Sequence, residues 1–345
     1  MDKQVPLPAF AAADPRWLAH RYDVTSDAVR FRFVDRTMHA GIPFLTDEYL
    51  GPTLAEAPLL ARGKAVAQAA SAPLHLLFHS AFCNSTLLCR AFDVAGIAMG
   101  LSEPVILNDI VGIRRRREGD PAKLPEITAD AMSLLARPWG FGEAVVVKPS
   151  NILNPLAAGM LSLRPDAQAL LLYAPLDLFL NSVARKGMWC RLWVRELLEG
   201  LLKDGVVDLG FSPTDYFRLT DLQVAAVGWL AQHKLFHNLC GRFGGARIRT
   251  LDSEVFGARQ AEVIAALADH FGLAIDEGRA HAIAAGPVFG RHSKHGTGFS
   301  IEARRAEQAA TDAAHGEEIA KVSEWARVVA AQSGIAEVLP LPLLG

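Results

Sequence analysis

The 345 residues carry 35 basic and 37 acidic side chains, a net charge of −2, with 51% in the AVILMFWYC set and 21% charged. This balance excludes a disordered chain and a general nucleic-acid binder, and the length suffices to bury a large core without disulfides or a structural metal. The four cysteines at 83, 89, 190 and 240 have neither C-x-x-C nor zinc spacing. No basic stretch followed by an apolar one opens the chain, and the longest apolar run, 167–180, contains Pro175 and Asp177. The expectation is a cytoplasmic protein that spans no membrane.

Residues 1–70 read as a helical and irregular leader, with 49–70 at helical spacing. A buried strand follows at 74–79, then a small polar loop at 80–86 and a helix over 87–95. Residues 105–107 form a short apolar segment, and 126–135 a helix. A strong strand covers 143–148, a short helix 151–160, a third strand 169–173 and a helix 176–184. Residues 186–240 are mostly helical and rich in aromatics. A fourth strand is expected at 246–251, an amphipathic helix at 259–271, a Gly/His/Ser/Lys loop at 286–300 and a polar helix at 301–332.

Strands alternating with helices predict a three-layer α/β/α protein with a mostly parallel sheet. Its organisation would be a leader (1–70), a core (71–300) with a helical insertion at about 186–240, and a C-terminal helix and tail (301–345). Ligands of such sheets sit at the carboxyl ends of the strands.

The loop 80–86 lies between a strand and a helix start, where free N–H groups suit a phosphate or sulfate. Ser85 and Thr86 add hydroxyls, but the loop has neither the glycine nor the lysine of a Walker motif. The bland alternative is a helix capped by Asn84 or Ser85.

At this point the sequence resembles the sulfotransferases, proteins of P-loop nucleoside triphosphate hydrolase-like fold. Phe82-Cys-Asn-Ser-Thr-Leu-Leu88 is similar to their phosphosulfate loop, [KR]-[ST]-G-[ST]-T-x-L, and Leu101-Ser-Glu-Pro104 to the acidic motif of bacterial members. Val145-Val-Val-Lys-Pro149 resembles a core strand with its lysine. Residues 170–182 resemble the 3′-phosphate motif ending in Ser182, residues 247–273 the late strand and helix, and His292-Ser-Lys-His-Gly296 the loop that closes on the nucleotide. The motifs run in order from about 74 to 300. The resemblance implies that Phe82, Cys83, Asn84, Ser85, Thr86, Ser182, His292, Ser293 and Lys294 hold 3′-phosphoadenosine 5′-phosphosulfate. It also implies that Glu103 is the base and that Lys148 and Lys294 offset developing charge.

The chain departs from the family at three places. Phe82 replaces a basic residue, Asn84 the loop glycine, and Ala174 the arginine for the 3′-phosphate. Each lost cation removes a charge-assisted hydrogen bond, on the order of 1.5–3 kcal/mol. Three readings follow: a sulfotransferase acting on a small-molecule or peptide hydroxyl or amine, a degenerate relative that binds or scaffolds, or a transferase with another activated donor. Acceptor and oligomeric state are not legible, although 1–70 and 186–240 are the expected acceptor walls.

Other patterns are weaker. Arg291, His292, Lys294 and His295 make a cationic loop that could replace the lost charge, or a solvated one. Arg114–Arg117 would dock an acidic substrate or form a solvated turn. His75 and His79 share a strand face, and His233 and His237 a helix face. No third ligand accompanies either pair, so packing is expected and no metal is called for. His79, ending its strand, could touch the site.

Overall fold

The computed structural model describes residues 9–52, 57–289 and 301–345, with the backbone alone for 301–313. The sheet that organises it has five strands: β4 (Leu74–His79), β5 (Ala98–Ser102), β6 (Ala144–Lys148), β7 (Ala169–Tyr173) and β8 (Ile248–Asp252). Their order is β5-β6-β4-β7-β8, and every pairing is parallel. Side chains alternate between two cores. Leu77, Val146, Leu170 and Leu172 enter one, and Leu76, Phe78, Val145, Val147 and Leu171 the other. A sheet buried on both faces calls for mostly apolar strands: β6 and β7 are apolar runs up to their ends, whereas β4 carries His75 and the edge strand β8 carries Arg249 and Thr250. Helices Ser85–Ala91, Leu176–Arg185 and Gln260–His270 cover the first face, and Val105–Arg116, Leu124–Leu135 and Ala157–Leu163 the second. The expected three-layer α/β architecture is present. No helix among the described residues is long and apolar enough to cross a membrane.

The connection leaving β4 runs toward the β5 edge, whereas those leaving β6 and β7 run toward β8. The carboxyl end of β4 therefore stands where the winding reverses, the usual place for a ligand crevice.

Three sequence expectations need correction. The helical and irregular segment expected over 1–70 is, in its described residues, largely a sheet: β1 (Trp17–Asp23), β2 (Ala28–Phe33) and β3 (Leu59–Ala61) pair antiparallel against the second core. Within 49–70 only short helices occur among the described residues, at Asp47–Leu50 and Arg62–Ala67, because Gly51, Pro52 and Pro58 interrupt the helical spacing. Residues 105–107 open the helix Val105–Arg116, and the strand before it, β5, carries Gly100. A Cβ at Gly100 would collide with the Cys89 carbonyl, so this strand gives up apolar signal to let the helix Ser85–Ala91 approach.

Candidate functional site

The loop after β4 turns through residues that rarely adopt such a backbone. Ala81, Phe82 and Asn84 have φ of 74°, 53° and 61°. Asn84 takes this backbone more readily than most residues because asparagine tolerates the left-handed region. It occupies the expected cap position, yet its side chain makes no capping bond. Tertiary contacts hold the turn. The Ser80 N–H donates to the Leu172 carbonyl at 3.1 Å, and the Ser80 hydroxyl accepts from the Ala174 N–H at 3.1 Å. The Ala81 N–H donates to Nδ1 of His79 at 3.1 Å. Leu88 is the first residue of the following helix whose N–H reaches an earlier carbonyl, that of Asn84. Among the described residues, the N–H groups of Phe82, Cys83, Asn84 and Thr86 have no such acceptor. Cys83 is wholly buried beneath the loop, and burial holds its thiol protonated, only partly opposed by the nearby charge of Lys148.

The next two strand ends converge on the same place. Lys148 ends β6 with its side chain 0% exposed, and its ammonium is paired with the Glu103 carboxylate, which is 19% exposed. Glu103 follows β5 at φ 52°, with its N–H donating to the Lys148 carbonyl at 2.7 Å. Nε2 of His79 lies 3.4 Å from Lys148 Nζ and 3.9 Å from Glu103 Oε1. Three polar groups from β4, β5 and β6 thus meet beside the loop. The segment after β2 crosses over them: the Leu45 N–H donates to the Ser102 carbonyl at 2.8 Å, and Leu45 accepts from the Val105 N–H at 3.1 Å. This crossing sets the Phe44 ring 5.1 Å from Lys148 Nζ and against Tyr49. Burial, then the charges of Glu48 and Glu103, push the Tyr49 phenol above its ordinary value.

The end of β7 closes the other side. Ala174 is fully buried, with its carbonyl accepting from Trp229 Nε1 at 2.8 Å. The Phe82 ring packs on Phe179 at 5.6 Å and Trp193 at 5.5 Å, and Lys186 Nζ stands 5.7 Å from its centroid. Ser182 lies between Phe179 and Lys186 in helical register and is half-buried.

Of the residues singled out in the sequence, Phe82–Thr86, Glu103 and Lys148 gather around one strand-end region, and Ser182 lies on the helix after β7, one turn from the Phe179 that Phe82 touches. His292, Ser293 and Lys294, with Arg291 and His295, lie outside the described residues. The arginine run belongs elsewhere: Arg114 and Arg115 pair with buried Asp204 at 3.4 and 2.7 Å, and Arg116 with Glu118 at 2.7 Å. His75 stacks on Phe271 at 4.6 Å and His233 on Trp229 at 4.2 Å. No group of metal ligands occurs among the described residues. Sequence reasoning missed Phe44, Asn154 and Gln232. Asn154 Nδ2 donates to the His79 carbonyl and to Gln232 Oε1, each at 2.9 Å, and both side chains are fully buried. Polar residues inside apolar helical stretches were the available signal.

No protein-family model matches the chain, and no curated protein matches it. Among solved structures it is similar to a sulfotransferase from Alicyclobacillus acidocaldarius, at 14% identity over 59% of this chain and 83% of that one, with a TM-score of 0.37. It is also similar to sulfotransferase STF9 from Mycobacterium avium, at 10% identity over 73% and 79% of the two chains and a TM-score of 0.40. A third is the sulfotransferase domain from the curacin biosynthetic pathway, at 11% identity over 79% and 100% and a TM-score of 0.41.

Proposed function

We propose that this chain transfers a sulfuryl group from 3′-phosphoadenosine 5′-phosphosulfate to a hydroxyl or amine of a small-molecule or peptide acceptor. The observation that carries the reading is the meeting of Glu103, Lys148 and His79 beside a strand-end loop in which the N–H groups of Phe82, Cys83, Asn84 and Thr86 lack backbone acceptors among the described residues. The ordered motifs of the sequence supply the donor. The loop 82–86 and Ser182 would hold its phosphate groups, joined by His292, Ser293 and Lys294. Glu103 would take the acceptor proton as the acceptor atom bonds to sulfur and the bond from sulfur to the 5′-phosphate oxygen breaks. The products are the sulfated acceptor and adenosine 3′,5′-bisphosphate. Lys148, being wholly buried, would work through Glu103, while Lys294 would offset charge at the transferred group. No metal enters this scheme.

The first test is a calorimetric titration with adenosine 3′,5′-bisphosphate. Micromolar binding weakened by Lys294→Ala supports the reading; no binding at millimolar nucleotide removes this donor. A second reading has its own observation. The two positions where the family places cations are occupied here by an aromatic ring in a cluster and by a buried alanine beneath Trp229. That would suit a binding or scaffold protein, or one with a different activated donor. Loss of turnover in Glu103→Gln with unchanged folding would separate an enzyme from a scaffold.

A further inference from the structure

We propose that Lys186 is the cation this chain brings to the donor's phosphate groups, in place of the basic side chains that positions 82 and 174 lack. The inference rests on the donor reading given above and deepens it. Lys186 joins two helices, Leu176–Arg185 and Gly187–Lys203. The chain can turn there because Gly187 takes φ 65°, which costs glycine little. Across this elbow the first helix sets Phe179 and the second Trp193 against the Phe82 ring, and the Lys186 ammonium stands 5.7 Å from the centre of the same ring. Lys186 itself keeps a helical backbone, with its N–H donating to the Ser182 carbonyl at 3.4 Å. Four residues apart in helical register, the two side chains share a face. One exposed ammonium is therefore at the loop through Phe82 and one turn from Ser182.

Its charge is uncommitted. Among the cations next to the loop, Lys148 is wholly buried on Glu103, and Arg90 donates to the Ile42 carbonyl at 2.6 Å. On the helix that follows, Arg191 pairs with Glu318 at 3.1 Å and Arg195 with Asp221 at 2.6 Å. No carboxylate among the described residues pairs with Lys186. The cation–π contact with Phe82 is a weak hold at an exposed position, and an anion can draw the ammonium away from it without breaking an ion pair.

The loop supplies the other half of the argument. The N–H groups of Phe82, Cys83, Asn84 and Thr86 have no backbone acceptor among the described residues. Lys186 Nζ already lies against the side chain of the first of them. An ammonium on a flexible four-carbon stem is a compact donor that turns toward a phosphate oxygen. Ala174 offers no such group, being fully buried with its carbonyl bonded to Trp229. Phe82 thus has a use that its loss of charge conceals: where a basic residue would touch the phosphate itself, the ring holds nearby the ammonium that does.

The test is calorimetry with adenosine 3′,5′-bisphosphate on four proteins: wild type, Lys186→Met, Lys186→Arg and the double variant Phe82→Arg/Lys186→Met. Methionine keeps the length of the stem and removes the charge. Lys186→Met is expected to bind about tenfold or more weaker than wild type, the scale of one hydrogen bond to a charged group. Lys186→Arg is expected to keep most of the affinity, and the double variant to recover most of the loss, because it returns a cation to the same place. Urea unfolding of Lys186→Met is expected to match wild type, since the side chain is exposed. A Lys186→Met protein that binds as tightly as wild type overturns the inference and leaves the donor reading in place. A loss of affinity matched by a loss of stability assigns Lys186 a structural role and overturns it as well. A wild-type protein that binds no nucleotide at millimolar concentration removes the donor reading, and the inference falls with it.

Discussion

The Glu103–Lys148 pair predicts an asymmetry that distinguishes a working lysine from a structural one. Lys148 is 0% exposed and Glu103 19% exposed, so the two partners lose different things when one is removed. In Glu103→Ala the ammonium is stranded, with His79 Nε2 at 3.4 Å and the Phe44 ring at 5.1 Å as its described neighbours. Breaking a buried pair from this side costs about 3–5 kcal/mol, and the aromatic ring returns about 1 kcal/mol of it. The expected loss is about 2–4 kcal/mol. In Lys148→Met the buried ammonium disappears and its stem is replaced by one of similar volume, while Glu103 turns its oxygens toward water. The lost attraction and the relieved desolvation then nearly cancel, leaving stability within about 1 kcal/mol of wild type. Urea unfolding of the two variants measures the difference directly. Nucleotide binding and sulfuryl transfer should nevertheless fall in Lys148→Met, because Glu103 loses a donor that orients it. Equal destabilisation of both variants would refute the reasoning, as would a Lys148→Met protein with full function.

Three further outcomes follow from the same geometry. Phe82→Arg introduces a cation into the loop and should tighten adenosine 3′,5′-bisphosphate binding by about 1.5–3 kcal/mol in calorimetry, whereas Ala174→Arg forces a charge under Trp229 and should fail to fold stably. Asn84→Gly should leave the thermal midpoint unchanged or raised, while Asn84→Val, held at φ 61°, should cost about 1–3 kcal/mol in the same melting assay. Burial lowers both His75 and His233 from 6.5 to about 4, so the unfolded chain binds more protons between these values. Stability should therefore fall as pH drops from 6.5 to 4, by at most about 1.4 kcal/mol per pH unit for each histidine, and His75→Leu should flatten the slope of urea midpoint against pH.

Much of the sheet was legible because doubly buried parallel strands leave apolar runs. Leu74–His79 and Ala169–Tyr173 coincide with their expected bounds, and Ala144–Lys148 lies within a residue of its own. β5 was hidden by Gly100, which answers to the approach of a neighbouring helix rather than to strand propensity. The hairpin of β1 and β2 was hidden by His20 and Arg21. These break the alternation because their polar groups are met at long range: His20 Nε2 lies 2.7 Å from Asp47, and the Arg21 guanidinium pairs with Asp47 at 2.6 Å and Asp109 at 2.7 Å. Glu103 and Lys148 were legible as motif residues, but their pairing was not, since it depends on β5 and β6 being adjacent. Asn154 and Gln232 stood out only as polar residues in apolar helical stretches, with nothing local to pair them, because the partners of Asn154 lie 75 and 78 residues away.

The strained loop ties these observations together. Three consecutive-to-near residues without glycine, Ala81, Phe82 and Asn84, hold positive φ, as does Glu103 across the site. Each such residue costs on the order of 1–3 kcal/mol and persists only where its surroundings over-determine it. Here Ser80 is tied to Leu172 and Ala174, Ala81 to His79, and Phe82 to Phe179 and Trp193. The arrangement leaves backbone donors of the loop without internal acceptors, which is an expense in a ligand-free protein and an asset beside an anion. With an aromatic ring at 82 and a buried alanine at 174, side-chain charge from these two positions adds little to that recognition and the backbone part of the loop stands alone. Affinity for a phosphate-bearing ligand would then depend more on the shape of the loop than on side-chain charge, and so be less sensitive to salt than that of a lysine- or arginine-based site.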